Sequence, residues 1–260
     1  MIARSGGASA ARGGGRQLWR EVRVVAETGS TNADLAELAR GGAPEGVVRV
    51  AELQTAGRGR LGRSWTAPPR SALTFSVLLR PRGVPSVWWS WAPLLAGVAA
   101  ATATARVTDL SVQLKWPNDV LVRGRKVAGV LVERVDGALV VGVGLNVSLH
   151  ADELPTDGAT SLLLEGAGSI DRAALLVGVL DDLAHQYGAW CEAGGDAPRS
   201  GLRSAYRTRC ATIGRAVSVA LPGGETLHGE AVDVDAGGRL VVRNACGDRV
   251  VGAGEVVHLR

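Results

Sequence analysis

The chain has 260 residues, enough for one large domain or a medium one with a small appendage, and its 46% apolar and 21% charged residues describe a globular protein able to fill a core. A net charge of +4 with a pI near 9.4 is mild, and Arg4, Arg12 and Arg16 near the amino terminus carry much of it, so bulk charge gives no argument for nucleic acid. Three widely spaced cysteines (Cys191, Cys210, Cys246) form no CxxC pair, which disfavours a disulfide framework or a zinc site and suits a reducing cytoplasm.

Residues 1–17, "MIARSGGASAARGGGRQ", are rich in Gly, Ala, Ser and Arg. They lack the apolar region of a secretory signal and are expected to be disordered. "VRVVAE" then reads as a strand. "STNADLAELARGG" reads as a helix with Thr31 or Asn32 as N-cap, Leu35 and Leu38 on one face, and Gly41 and Gly42 as the stop. "GVVRVAEL" is a second strand, and "QTAGRGRLGRSWTAPPRS" is a long loop without periodicity, of the kind that is usually functional or mobile.

"ALTFSVLLR" resumes as an apolar strand. Ser86 to about Arg106 reads as a buried helix whose opening tryptophans, Trp88, Trp89 and Trp91, are best explained by packing. Its most apolar run, Ala92 to Ala105, is too short to span a bilayer. "LSVQLKW" is a strand entering a "PND" turn. "KVAGVLVER" and "ALVVGVGLNV" are strands joined by "VDG", a hairpin signal. Asp171 to Cys191 has helical periodicity, and a second helix is expected from about Arg199 to Arg209. After Cys210 the pattern changes to short alternating strands punctuated by "PGG", "DAGG" and "CGD", the signature of a small antiparallel barrel. The organisation expected is therefore a tail over 1–17, a mixed α/β body over 18–209 and a small β domain over 210–260.

Only Lys115 and Lys126 are lysines among the 29 Lys and Arg residues. A GC-rich codon bias accounts for most of that skew, but a surviving lysine marks a place where a compact ammonium is wanted rather than a flat fork. "GRGRLGR" (Gly57–Arg63) offers backbone N–H groups and three guanidinium groups to an anion. It lacks P-loop spacing, and Trp65, Pro68 and Pro69 stand where the helix of a dinucleotide fingerprint would begin. An RNA contact or a merely flexible loop is the alternative. "GSTN", "KWPND", "GRKVAG" and "GVGLNV" each have a structural excuse, yet together they place polar groups at strand ends around one Gly/Arg loop. That arrangement suits a pocket for an anionic small molecule.

"STN", "QTAGRGRLGRSW", "LKWPNDV", "RKVAGVLVE" and "GVGLNV", in this order, resemble the motifs of biotin–protein ligases of the BirA type. The resemblance runs from about Val22 to the carboxyl terminus. It implies an α+β fold, with a class II aminoacyl-tRNA synthetase-like catalytic domain followed by an SH3-like barrel. It also implies formation of biotinyl-5′-AMP from biotin and ATP with Mg²⁺, and transfer of biotin to a lysine on the carrier domain of an acyl-CoA carboxylase. The same resemblance implies biotin-binding roles for Ser30, Thr31, Gln54, Gly57, Arg58, Arg60, Lys126 and Gly129. Arg58, Arg60, Gly62, Arg63, Trp65, Asn118 and Asn146 would serve the nucleotide. Lys126, Arg58, Asp119 and Lys115 would lie at the reacting centre, with Asp119 a candidate to receive or orient the incoming amine. Metal ligands are not indicated.

Many members of that family carry an amino-terminal helix-turn-helix, and too few residues precede the first strand here to form one. The expectation is a cytoplasmic ligase, monomeric or weakly dimeric, without operator binding or membrane attachment. A lipoate or octanoyl transferase is the nearest rival, but none of the four histidines lies in the motifs and "KWPND" belongs to the biotin branch.

Overall fold

The computed structural model describes residues 18–259. The tail expected over 1–17 lies outside the described residues. A seven-stranded sheet forms the body, in the order β1 (Glu21–Val25), β2 (Val47–Ala51), β3 (Ala72–Leu79), β7 (Ala138–Asn146), β6 (Arg125–Val135), β5 (Asp119–Val122), β4 (Val112–Lys115). Only β1 and β2 pair in parallel; the other neighbours are antiparallel. The hairpin expected at "VDG" is present, with Asp136 and Gly137 both at positive φ as a two-residue turn of this hand requires.

The two faces of the sheet are covered unequally. Helices α2 (Ala92–Thr108) and α3 (Arg172–Glu192) pack on one face, and α1 (Thr31–Arg40) packs on the other. Strand alternation sorts the side chains accordingly. On β3, Phe75, Val77 and Leu79 enter the large core, while Thr74, Ser76 and Leu78 turn toward α1. On β7, Val141, Val143 and Leu145 enter the large core, leaving Val140, Gly142 and Gly144 on the α1 side. α2 is rich in alanine, and Ala96, Ala99, Ala100 and Ala103 are buried where the helix presses on its neighbours.

Several local expectations change. α1 is capped by Ser30 rather than Thr31 or Asn32, because Ser30 keeps extended backbone (φ −161°, ψ 127°) and its hydroxyl accepts from the Ala33 N–H. Leu38 is exposed while Leu35 is buried, so the apolar face of α1 is narrower than the leucine spacing suggests. The helix expected from Ser86 opens as a 3-10 turn over Ser86–Trp91 before α2 begins at Ala92, with Pro93 in its first turn. Trp91 is fully buried, edge-on to Tyr206 at 6.3 Å, whereas Trp88 and Trp89 are less completely buried. β5 has no counterpart among the expected strands: four residues after the "PND" turn are too short for a periodicity signal. α4 spans Leu202–Arg209.

The carboxyl-terminal part is a five-stranded antiparallel sheet, in the order β11 (Gly247–Val251), β10 (Leu240–Asn244), β9 (Thr226–Val234), β8 (Arg215–Ala220), β12 (Glu255–His258). Among its attachments to the body, two order the backbone near the cavity. The Asp235–Arg239 turn offers three successive carbonyls, and the body supplies the donors: Trp91 Nε1 to Ala236 O (2.7 Å), Ser90 Oγ to Gly237 O (2.7 Å) and Trp116 Nε1 to Gly238 O (3.0 Å). Asp235 holds that turn by accepting from the Gly237 and Arg239 N–H groups. The other is at the end of β4. There the Ala211 N–H donates to Leu114 O (2.8 Å), and Thr212 Oγ1 accepts from the Trp116 N–H (3.1 Å).

Trp91→Phe removes the donor to Ala236 O and leaves that carbonyl unpaired beside a small void. A loss of about 2–4 kcal/mol in unfolding free energy is expected from urea titration, combining a lost buried hydrogen bond with the cavity term.

Candidate active site

The antiparallel register lays one continuous rung across the α1 face of the sheet. Ala51 stands opposite Thr74, Thr74 opposite Gly144, Gly144 opposite Gly129, Gly129 opposite Asp119, and Asp119 opposite Lys115. The middle of the rung has no side chains, so a cavity opens above it. α1 and its cap wall one side with Ser30 and Thr31, the Trp116–Pro117–Asn118 turn walls the other, and the Gly/Arg loop roofs it. Glu255 and Val256 of β12 complete the rim.

Glycine is required at two points of this frame. A Cβ on Gly57 would sit 2.3 Å from Trp65 O and 2.7 Å from Gln54 Nε2, because the Trp65 N–H bonds Gly57 O (2.9 Å) and closes the loop on itself. A Cβ on Gly144 would sit 2.3 Å from the Trp65 ring, which lies against the floor of the cavity with its Nε1 buried and unpartnered. The tip of the loop is a tight turn, with Leu61 and Gly62 both in the left-handed region.

Most of the expected site residues come together here. Lys126 Nζ lies 2.5 Å from Asp119 Oδ1, joining "KWPND" to "GRKVAG" across the β5–β6 pair. Lys115 stands on the same rung beside Asp119, and burial lowers its pKa below that of an ordinary lysine, against the opposing pull of Asp119. Arg60 donates to Asn118 Oδ1 (2.9 Å) and to Gly254 O (3.2 Å), and burial lowers its pKa too. Arg63 pairs with Glu255, which raises the arginine's pKa and holds the Glu255 carboxyl below the usual range, first through that hydrogen bond. Asn118 is itself fixed by donating from Nδ2 to Val130 O (2.9 Å). At the other end, Gln54 Oε1 accepts from the Thr31 N–H (2.8 Å).

Three expected residues do not line the cavity. Gly57 and Gly62 shape the loop from behind. Asn146 is buried at the end of β7, and its Nδ2 donates to Thr160 O (2.9 Å), which ties down the segment beside Lys126.

Other residues join the site without being expected there. Glu133 of β6 pairs with Arg58 (3.1 Å), and Asn32 donates to the same carboxylate oxygen (2.8 Å). Ser76, Gly142 and Gly144 form floor or support, and the alternation of glycines in "GVG" is a sequence signal for the last two. Glu255 carries no local signal, since it arrives from the other sheet.

Chemically, Lys115, Lys126, Arg58, Arg60 and Arg63 face the cavity against Asp119 and Glu255, with Glu133 behind Arg58, an excess of positive charge. Fixed cations over a side-chain-free floor suit a ligand with a flat or extended apolar part and a negatively charged reacting end. Among the described residues no group of three His, Cys, Asp or Glu side chains is placed to hold a metal, and no helix is long and apolar enough to cross a membrane.

Comparison with known proteins places the same segments together. Residues 24–149 match the model of the Biotin/lipoate A/B protein ligase family, and residues 212–259 match that of the Biotin protein ligase C terminal domain. The chain is 46% identical to the biotin--[acetyl-CoA-carboxylase] ligase of Mycobacterium tuberculosis over 93% of this chain and 90% of the relative. It is 33% identical to the ligase of that name from Paracoccus denitrificans, over 90% and 98% of the two chains. The structure of biotin protein ligase from Aquifex aeolicus in complex with biotin and ATP superposes with a TM-score of 0.79 at 28% identity, covering 93% of this chain and all of that one.

Gly144→Ala should lift the Trp65 ring off the sheet floor. The indole N–H resonance of Trp65, assigned with a Trp65→Phe variant, is expected to move toward its solvent-exposed position while the other indole signals stay in place.

Proposed function

Because the chain belongs to the biotin protein ligase family, we propose that it joins biotin to ATP as biotinyl-5′-AMP and then transfers the biotinyl group to a carrier-domain lysine of an acyl-CoA carboxylase. The observation that carries this reading is the rung itself. Lys126, Asp119 and Lys115 stand at one end of a glycine floor, beneath a loop bearing three arginines. The body over 18–209 would do the chemistry, and the domain over 210–260 would complete the site through Glu255. A cytoplasmic setting, monomeric or weakly dimeric, with no nucleic-acid partner, belongs to the same reading.

In this mechanism the biotin ring lies toward Ser30, Thr31 and Gln54, and its chain runs over Gly144 and Gly129 beneath Trp65. Its carboxylate reaches Lys126. A carboxylate oxygen attacks the α-phosphorus of ATP, which enters as its Mg²⁺ complex, and pyrophosphate leaves. Negative charge grows on the α-phosphoryl oxygens, and Lys126, Arg58 and Arg60 stabilise it without reorganising. Asn118 and Arg63 would steady the nucleotide.

Lys126 is paired with Asp119 before ligand arrives. The incoming carboxylate and phosphate take over the ammonium and leave the Asp119 carboxylate free to accept a proton from the carrier lysine. That amine attacks the mixed anhydride carbonyl, and AMP departs. The anhydride reacts with water, so the loop roof has a protective role as well as a binding one.

Incubation with biotin, ATP and Mg²⁺ should give biotinyl-AMP by mass spectrometry. Adenylation of lipoate alone, or of neither acid, would remove the ligase reading. Lys126→Arg should sharply reduce adenylate formation although the charge is kept, since a planar fork cannot take the place of the compact ammonium beside Asp119. Near-normal turnover would refute the role given to Lys126. Arg58→Ala should speed release of biotinyl-AMP, weakening its binding by about 2–4 kcal/mol as for the loss of one partner of a desolvated charge pair. An unchanged off-rate counts against closure of the loop over the adenylate.

A further inference from the structure

We infer that Glu165, a buried carboxylate outside the cavity, is a positioning residue for Lys126: it fixes the β-bulge that turns this lysine into the cavity. The inference rests on the activating role proposed above for Lys126 and adds the element that aims it.

Alternation along β6 points Lys126 the wrong way. Gly129 lies on the cavity face, so a regular strand would send Val127 to the cavity and Lys126, like Ala128, into the large core. The opposite is found: Lys126 lines the cavity, and Val127 and Ala128 both belong to the large core. The register explains it. Val120 of β5 stands opposite Ala128, but the next residue, Leu121, stands opposite Lys126, which leaves Val127 as an extra residue on β6. A bulge of this kind re-aims a side chain, and here it inverts the phase of the strand just before the lysine.

The bulge is held from two sides. Toward β5, the hairpin closes through Arg123 and Gly124, both at positive φ, so that Val122 faces Arg125. On the other side, β7 pairs with β6 only from Ala128 onward, and the Lys126 backbone is bonded instead to the segment 158–160. The Lys126 N–H donates to Gly158 O (2.8 Å), and its carbonyl accepts from the Thr160 N–H (2.8 Å). Glu165 joins the two sides. Its Oε1 accepts from Thr160 Oγ1 (2.7 Å) and from Arg125 (2.7 Å), and its Oε2 lies 3.6 Å from Arg123. The Glu165 side chain is 0% exposed.

The unbulged register is an accessible rival. It needs only a three-residue turn, Arg123 to Arg125, in place of two residues, and both are common hairpin lengths. In that register Arg125 leaves the strand, the start of β6 moves along by one position, about 3.3 Å, and Lys126 faces the core. Arg125 is then drawn off Glu165, and a buried carboxylate stripped of a partner is costly. Glu165 therefore penalises the register that would misdirect the lysine. Through Thr160 it also steadies the segment that receives the Lys126 backbone. Buried ion pairs add little net stability, and fixing a register is their best-attested use.

The chain has two lysines, so lysine labelled with ¹³C at the ε-methylene gives one carbon signal from each, assigned with Lys115→Arg. Glu165→Gln leaves an acceptor for Thr160 and removes the ion pairs with Arg123 and Arg125. The Lys126 signal should then move toward the position of a lysine free in solvent, while the indole N–H signals of Trp91 and Trp190, both in the large core, stay in place. The single-turnover rate of biotinyl-AMP formation should fall about tenfold or more in Glu165→Gln. Added to Lys126→Ala, the same change should cost no more than about twofold, the non-additivity of two residues that act through one group. Thr160→Val, which adds no charge, should move the Lys126 signal in the same sense and serves if Glu165→Gln does not fold. An unmoved Lys126 signal in both variants, or a rate loss that adds in full to that of Lys126→Ala, overturns the assignment. The lysine signals need no turnover, so the two failures separate. Wild-type protein that forms no biotinyl-AMP overturns the inference together with the function it rests on, and active wild type with an unmoved Lys126 signal in the variants overturns it alone.

Discussion

The antiparallel register of five neighbouring strands governs everything else in this molecule. Five strands are held so that Thr74, Gly144, Gly129, Asp119 and Lys115 fall on a single rung. A slip of one residue at any of these pairs would turn glycines into the large core and valines into the cavity, because side chains alternate between faces. The large core excludes any odd slip: Val141, Val143 and Leu145 of β7, with Phe75 and Val77 of β3, stay buried only when their strands keep this face inward. The site is thus held in place by the hydrophobic packing on the opposite face.

Upon that floor the charges are arranged as internal pairs. Lys126 holds Asp119, Arg58 holds Glu133, and Arg63 holds Glu255. Without such counter-ions, several cations converging on one partly buried cavity would repel one another and carry unrelieved desolvation. With them, the folded site exists before its anions arrive, and binding becomes an exchange of one set of negative charges for another. Lys115 and Arg60 are partly buried in the folded protein, and that burial pushes their pKa values down.

The two sheets share responsibility for the site. Carbonyls of the Asp235–Arg239 turn receive donors from Trp91, Ser90 and Trp116, and Thr212 steadies the backbone where "KWPND" begins. Glu255 and the Gly254 carbonyl then meet the loop arginines from above. A small β domain fastened this way acts as a fixed wall.

The amino-acid sequence by itself determined the strands of the body other than β5, the change to short alternating strands after Cys210, and the ordered motifs around the Gly/Arg loop. These are local signals: alternation, periodicity, turn residues and spacing are all written within a few neighbours. It was less informative where neighbours do not decide. Leu38 has helical spacing yet faces solvent, because the face of α1 turned to the sheet is made by Thr31, Asn32, Leu35, Ala36 and Ala39. Asn146 stands in a motif, and its amide donates to Thr160 O, a partner on another segment that neighbours along the chain do not reveal. Glu133, Ser76 and Glu255 look ordinary in sequence. Only the tertiary structure brought them to the site, because hydrogen bonds and ion pairs act across a few ångströms of space, whatever the separation along the chain.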